Sequence, residues 1–425
     1  MKQKLITIIL TLVVILAPIL IVPDYINQSH YILKLWVLLI AGLLLMALLL
    51  KNYKNFSIDG KDVFILVFLV LAIISTVFAV DIKTAIIGEE DRYEGLLMFI
   101  TYICIYLCSK KFFKYEKIEN FLNIMFYVSM IIGLLGIAQT YINYPKLYPI
   151  FNKEISAICS TFGNANFFGS FISIVLPVSM VIFIFKEKKK SFILSLVMFF
   201  NMIASGNRST WVAFAIVAII GIIYVAKNRK EEYFKRMAIL VICFCLIFIY
   251  LLYATGTNST TFDKFNLMRE DLKKASKEGL TSELGSQRIA IWQLVFKLIN
   301  KKPILGCGVD CLRFGLYKYC FEDSVEFYNN IGIFPDKAHN EYLQIAATIG
   351  IPALAIYLIF VGTILFPKMK YMLKNKANLI LCITIISYLV QAFFNISTIG
   401  VAPIFWMILG LADNKEVQEK INNFL

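Results

Sequence analysis

Apolar residues run along this chain in blocks long enough to cross a bilayer, joined by short polar stretches, until one polar interval of unusual length breaks the pattern. A helix needs roughly 20 apolar residues to span the hydrocarbon core. Twelve blocks approach that length, near 5–22, 32–50, 63–80, 94–109, 120–142, 166–185, 191–206, 209–226, 237–254, 341–366, 377–395 and 398–412, and they predict twelve spanning helices. The joint after the ninth block runs from 255 to 340 and divides the chain into helices one to nine (1–254), a large polar loop (255–340), and helices ten to twelve with a tail (341–425).

The loop has a pattern of its own. Phe265, Met268, Leu272 and Ala275 recur at helical spacing with Glu270, Asp271, Lys273, Lys274 and Lys277 on the other faces, so 263–279 predicts an amphipathic helix lying against the bundle or the bilayer. After Gly285 and Ser286, the apolar positions Ile289, Trp292, Phe296 and Ile299 predict a second helix that ends at Lys301-Lys302-Pro303. Gly306-Cys307-Gly308 makes a turn, and Phe314, Tyr317, Tyr319, Phe321, Phe327, Tyr328 and Phe334 follow, rings that build a small core or an interfacial belt more often than a binding platform. The expected fold is therefore an all-α polytopic membrane protein with one large helical loop.

Composition agrees: 59% of the 425 residues are hydrophobic and 16% charged, more apolar surface than one water-soluble core requires. The net charge of +14 does not point to nucleic acid, because the basic residues are spread between spans. They sit after even-numbered blocks, at Lys51/Lys54/Lys61, Lys110/Lys111/Lys114/Lys117, Lys186/Lys188/Lys189/Lys190, Lys227/Arg229/Lys230/Lys235/Arg236 and Lys368/Lys370/Lys374/Lys376. By the positive-inside rule those loops and both termini are cytoplasmic, which leaves 255–340 on the extracytoplasmic side of the cell membrane. The first block resembles a secretory signal, but no small-x-small site precedes Pro23-Asp24, so it is expected to remain as an anchor.

Five cysteines (Cys104, Cys108, Cys243, Cys245, Cys382) fall in predicted spans; Cys159, Cys307, Cys311 and Cys320 fall outside, where a disulfide is possible but its pairing is open. Two histidines and no paired Cys-x-x-Cys units argue against zinc, so no metal or other cofactor is expected.

The candidate chemistry gathers on the outer joints. His30, in the first, is expected to be an interfacial residue without a role. Glu89-Glu90-Asp91-Arg92-Tyr93-Glu94 reads equally as a solvated loop with local ion pairs or as part of a site carrying Arg92. In Cys159-Ser160-Thr161-Phe162-Gly163-Asn164-Ala165-Asn166, one of Asn164 and Asn166 is expected to cap the next helix, leaving the other for a sugar hydroxyl or a phosphate. Arg208 lies in a tight hairpin with no acid near it in sequence, an expensive placement that marks an anion site. Arg288 is one turn before Trp292, about 40° around the helix, and either stacks on that ring or binds an anion. Asp336-Lys337-Ala338-His339-Asn340 closes the loop; Asp336 or Asn340 caps the tenth helix, and the helix N-terminus with nearby arginines should hold His339 neutral and able to accept a proton.

These residues resemble the O-antigen ligase and polymerase superfamily of bacterial membrane glycosyltransferases. That group carries His followed by Asn, Ser or Gln, then nine residues and Gly-x-x-Gly; here His339-Asn340 and nine residues lead to Gly350-Ile351-Pro352-Ala353, with alanine for the last glycine. Weaker likenesses are Asp91-Arg92-Tyr93-Glu94-Gly95, Gly163-Asn164-Ala165-Asn166-Phe167, Asn207-Arg208-Ser209-Thr210-Trp211, Gln287-Arg288-Ile289-Ala290-Ile291-Trp292 and Pro303-Ile304-Leu305-Gly306-Cys307-Gly308. The resemblance implies a GT-C-like architecture and metal-independent transfer of glycan from a polyprenyl-diphosphate carrier. In that chemistry His339 is the expected catalytic base, Arg208, Arg288 and Arg92 bind the diphosphate, and Asn340, Asn164 and Asn166 are possible sugar or phosphate contacts.

Among acceptors the sequence leaves glycan, lipid and protein open. Richness in Lys, Ile, Asn and Phe points to an AT-rich genome; in a bacterium without an outer membrane, ligation to lipopolysaccharide is out. Polymerisation of a cell-surface polysaccharide is therefore the leading expectation, with ligase or O-oligosaccharyltransferase activity as the alternative and other envelope-glycan assembly proteins as conceivable partners. A transporter or flippase is disfavoured because no charged residue lies well inside a block and no internal repeat stands out. A non-catalytic scaffold would not need Arg208, Arg288 and His339 to converge.

Overall fold

The structure, a computed structural model, describes residues 2–21, 31–52, 57–90, 92–142, 158–254, 257, 261–278 and 287–425. His30, Asp91, Gly285 and Ser286 lie outside them. The described residues are helical throughout: α1 (Lys2–Ile19), α2 (Ile32–Lys51), α3 (Gly60–Val77), α4 (Ile82–Ile87), α5 (Leu96–Phe112), α6 (Ile118–Tyr141), α7 (Ala165–Lys186), α8 (Lys189–Ala204), α9 (Arg208–Asn228) and α10 (Glu231–Tyr253). There follow α11 (Thr261–Glu278), α12 (Arg288–Lys301), α13 (Leu312–Tyr319), α14 (Phe321–Ile331), α15 (Glu341–Thr348), α16 (Ile351–Tyr371), α17 (Lys376–Ala392), α18 (Ala402–Asp413) and α19 (Lys415–Phe424).

This is a polytopic membrane protein. Seven helices, α2, α3, α6 with the 3-10 turn before it, α7, α9, α10 and α16, are long and apolar enough to cross a bilayer, and three shorter apolar helices begin at Gln3, Lys376 and Ala402. The fourth and seventh expected spans correspond to α5 and α8, of 17 and 16 residues. Large apolar side chains point outward where lipid would receive them, Leu43 at 61% and Leu246 at 62% exposed among them. By contrast α7 is buried along nearly its whole length, packed by α8, α9 and α17, and forms the centre of the bundle.

The tenth expected span, 341–366, is broken. Gly350 adopts φ +110, and a Cβ there would sit 2.0 Å from the Ile304 carbonyl oxygen, so the chain turns sharply between α15 and α16. Pro352 then opens α16. Periodicity alone could not show this, because both pieces are apolar.

A second core, distinct from that of the bundle, joins α12, α13, α14 and α15 around Ile291, Leu294, Leu298, Leu312, Leu316 and Phe327. Ala338 is fully buried in it, so the segment before α15 is part of this small helical cap. Of the aromatics expected to build it, Phe327 is buried while Tyr317, Phe321 and Tyr328 are exposed. The amphipathic α11 packs against α10, with Phe265 edge-on to Phe248 at 5.9 Å; the side chains of Leu272 and Ala275 lie outside the described residues.

Candidate functional site

Five segments distant in sequence meet where the cap joins the bundle, and α11 adds an acid from a sixth. The first is the start of α7. Asn164 is its N-cap, accepting the Asn166 N–H at 2.8 Å, so Asn164 is the capping residue of the two. Asn166 turns the other way, and its Oδ1 accepts from Asn207 Nδ2 at 3.2 Å. Asn207 in turn caps α9 through Thr210 N–H and donates to the Ala165 carbonyl. This approach requires Gly169, since a Cβ there would lie 2.4 Å from Asn207 Nδ2. The hairpin thus fixes Arg208 as the first residue of α9 beside Asn166.

Arg208 is not without an acid. Its Nη1 meets Asp271 Oδ2 at 2.6 Å, supplied by α11 from 63 residues away, which no local reading of the hairpin could show. Arg288, the first residue of α12, differs. It is half-buried, feels the positive charge of Arg208, and among the described residues has no ion pair or hydrogen bond. Burial first, and then Arg208, pull its pKa down to about 10, so it remains a cation at neutral pH. Nor does it stack on Trp292, which packs on Phe393 and Phe394 and donates its Nε1–H to the Ala338 carbonyl at 3.0 Å.

That bond helps to set His339. The residue adopts φ +47, a left-handed conformation costing a non-glycine residue roughly 1–3 kcal/mol, which persists only where surroundings impose it. Here Trp292 holds the Ala338 carbonyl, Gln344 Oε1 accepts the Ala338 N–H at 2.9 Å, and Asn340 caps α15 through Leu343 N–H. Asn340 is buried in that duty, and Asp336, the other proposed cap, pairs instead with Arg92 at 3.5 Å. The His339 imidazole has its pKa lowered, first by burial; Asp336 works against this, and Arg288 and Arg92 reinforce it. It is neutral at neutral pH, with burial leading where the sequence pointed to the helix terminus.

Arg92 brings in the last segment, with its guanidinium 5.2 Å from the Phe167 ring centroid. Two of the acids around it, Glu89 and Glu94, are engaged with residues outside the loop. Glu89 reaches Lys337 at 3.2 Å and Arg313 at 3.1 Å. Glu94 is buried against the Tyr102 hydroxyl at 2.6 Å, and burial pushes its carboxyl up to about 8.

Beneath the site lies a buried ionic knot that sequence reasoning missed. Lys337, 1% exposed, pairs with Asp310 and Glu89, and Asp310 Oδ2 also accepts the Glu89 N–H at 2.7 Å. The knot ties the Arg92 loop, the turn after Gly308 and the His339 loop together. Lys337 and Glu89 stood in stretches that drew notice, just before the histidine motif and in the acidic joint; Asp310 sits between a valine and a cysteine with no pattern around it. The turn itself lies on α15, where Cys307 N–H and Gly308 N–H donate to the Ala347 and Thr348 carbonyls. All nine cysteines are free thiols, the outer four included.

A family model described as O-antigen ligase matches residues 193–358, a stretch holding Arg208, Arg288 and His339. That stretch of the chain is similar to the O-antigen ligase family. A similar curated protein comes from Rickettsia typhi and is described, provisionally, as a polysaccharide ligase; it is 29% identical over 188 residues. That match covers 43% of this chain and 41% of the relative. Within the superfamily's matched region, His339 and two of the three arginines meet at one place; Arg92 and Asn166 join them from outside it.

Proposed function

We propose that this protein is a membrane glycosyltransferase that moves a glycan from a polyprenyl-diphosphate carrier to an acceptor hydroxyl, on the extracytoplasmic side, and that it extends a cell-surface polysaccharide. The observation that carries the proposal is the half-buried Arg288, without a partner among the described residues, beside Arg208 and His339. A guanidinium placed so is costly unless an anion comes to it. The family relation supports the substrate class, and the lysine-rich loops at the opposite end of the helices support the orientation, with both termini cytoplasmic.

In this reading the two phosphate groups of the donor's diphosphate lie between Arg208 and Arg288, with Arg92 at the edge. Asp271 stands on one face of the Arg208 fork, where a phosphate oxygen of the donor would replace its carboxylate. The acceptor hydroxyl attacks the anomeric carbon while His339 takes its proton, the bond from that carbon to the diphosphate oxygen breaks, and the polyprenyl diphosphate leaves with the bonding pair. Guanidinium charge stabilises the leaving group, so these residues suffice without a metal ion. The interval 255–340 acts as the unit that delivers Arg288 and His339. Asn164 and Asn340 serve by capping, which leaves Asn166, beside Arg208, as the asparagine best placed for a sugar hydroxyl.

Purified protein in vesicles, given a lipid-linked oligosaccharide, should produce longer lipid-linked chains. Transfer to an added lipid or protein would move the assignment to ligase or oligosaccharyltransferase. Arg208→Lys should slow turnover, since an ammonium cannot reproduce the fork; unchanged kinetics would make Arg208 an anchor only.

A further inference from the structure

At the lysine-rich end, away from the arginines, the bundle encloses an apolar cavity between α6, α7, α8, α17 and α18, closed on one side by α19. Its open mouth included, it holds about 1090 Å³ of space. Its walls include Phe121, Met125, Val178, Leu194, Ile404 and Ile408. Ser179 and Thr384 turn back on their own helices, to the Leu176 and Ile380 carbonyls, leaving the Ser129 hydroxyl without a partner among the described residues, so there is little to hold water. From Ile118 to Ser129 along α6 its depth is about 17 Å, close to one leaflet of a hydrocarbon core of about 30 Å.

The mouth has a different character. Lys188 and Lys190 both line it, and Lys186 precedes them in the same turn. The Lys188 ammonium rests 4.0 Å from the Phe424 ring centroid, while Lys190 bonds to Asn123 and lies over Phe126. Among the described residues neither is in an ion pair. Lys188 is disfavoured as a cation by burial and by Lys190 and Lys186, with Glu119 offsetting only part of this. An apolar shaft one leaflet deep, rimmed by lysines that lack counter-charge, has the form of a lipid site.

We infer that this cavity binds an anionic glycerophospholipid, with an acyl chain in the shaft and its phosphate held by Lys188 and Lys190. The site is separate from the arginine site and does not depend on the reaction proposed there.

The test is native mass spectrometry of the full-length protein, delipidated in detergent and titrated with phosphatidylglycerol or phosphatidylcholine of identical chains. One phosphatidylglycerol should bind with at least about ten-fold preference, as two lysines at a charged headgroup would give. The Lys188→Gln/Lys190→Gln double variant, changed only at the mouth, should lose that preference. Ser129→Leu, which fills the shaft and removes a buried hydroxyl without a partner, should weaken both lipids. Equal binding of the two lipids by the native protein, or a preference that survives the double variant, would overturn the inference. So would a polyprenyl phosphate displacing phosphatidylglycerol at ten-fold lower concentration, which would mark the shaft as a carrier-lipid site.

Discussion

Two clusters of charge, at opposite ends of the bundle, are arranged in opposite ways. At the lysine-rich end, Lys110, 5% exposed at its side chain, is surrounded by Asp59, Asp62 and Asp413, each at 2.7 Å. Lys61 also reaches Asp413, and Lys111 reaches Asp62 at 3.1 Å, so three cations face three carboxylates. At the other end the knot beneath the site is balanced too, Lys337 and Arg313 against Glu89 and Asp310. In the layer above, Arg92 pairs with Asp336 and Arg208 with Asp271, while Arg288 has no ion pair among the described residues. Saturated clusters hold helices together; an unsaturated one is a site waiting for an anion. Charge count alone would not have separated them.

The sharpest challenge to this contrast is at the unsaturated end. His339→Ala should lower turnover of a lipid-linked glycan by about 10²–10⁴, the usual worth of a general base, with the protein still folded and inserted. Turnover at the native rate would remove the catalytic assignment. Next, Arg288→Gln should reduce kcat/KM by about ten-fold to a hundred-fold, as expected for one charge-assisted contact to phosphate worth about 1.5–3 kcal/mol. If donor binding and turnover were untouched, the unpaired guanidinium would need another explanation.

What the sequence could show divides along the same line. Spans follow from runs of apolar residues, a signal intrinsic to each segment, and the arginines and the histidine stood out because they were isolated in polar joints. The partners are another matter. Asp271 reaches Arg208, Asp310 reaches Lys337, and Asp413 reaches Lys110 across separations of 63, 27 and 303 residues, and no periodicity encodes such meetings. Arg208 accordingly read as unpaired when it is paired, and Trp292 as a platform for Arg288 when it is a clamp on Ala338. The break at Gly350 was hidden for a related reason: the Ile304 carbonyl, 46 residues away, leaves no room for a Cβ there.

Stability gives a smaller but cleaner separation. Lys110→Met strands buried carboxylates and should destabilise the protein by about 3–5 kcal/mol, read as a lower midpoint of thermal unfolding in detergent. Arg288→Gln removes a buried charge that has no partner and should leave that midpoint unchanged or raise it. A large loss of stability from Arg288→Gln would show that the guanidinium is structural and that the two ends are alike after all.

The finest test is the pH dependence of kcat/KM. The base form of His339 is the active one, and its pKa is depressed below the ordinary 6.5, chiefly by burial, so the acid limb should fall below pH 6.5 with a plateau through neutrality. Folding follows the same sign: above 6.5 the histidine is neutral in both states, and as pH falls toward the depressed value the unfolded chain takes up the proton first and stability declines. Because Arg288 lowers this pKa and Asp336 raises it, Arg288→Gln should move the limb to higher pH and Asp336→Asn to lower pH. Each shift should be under about one unit, the scale of a partly solvated pair. A limb that ignores both variants would belong to another group, and Glu94, whose carboxyl burial has pushed up to about 8, would be the first to examine.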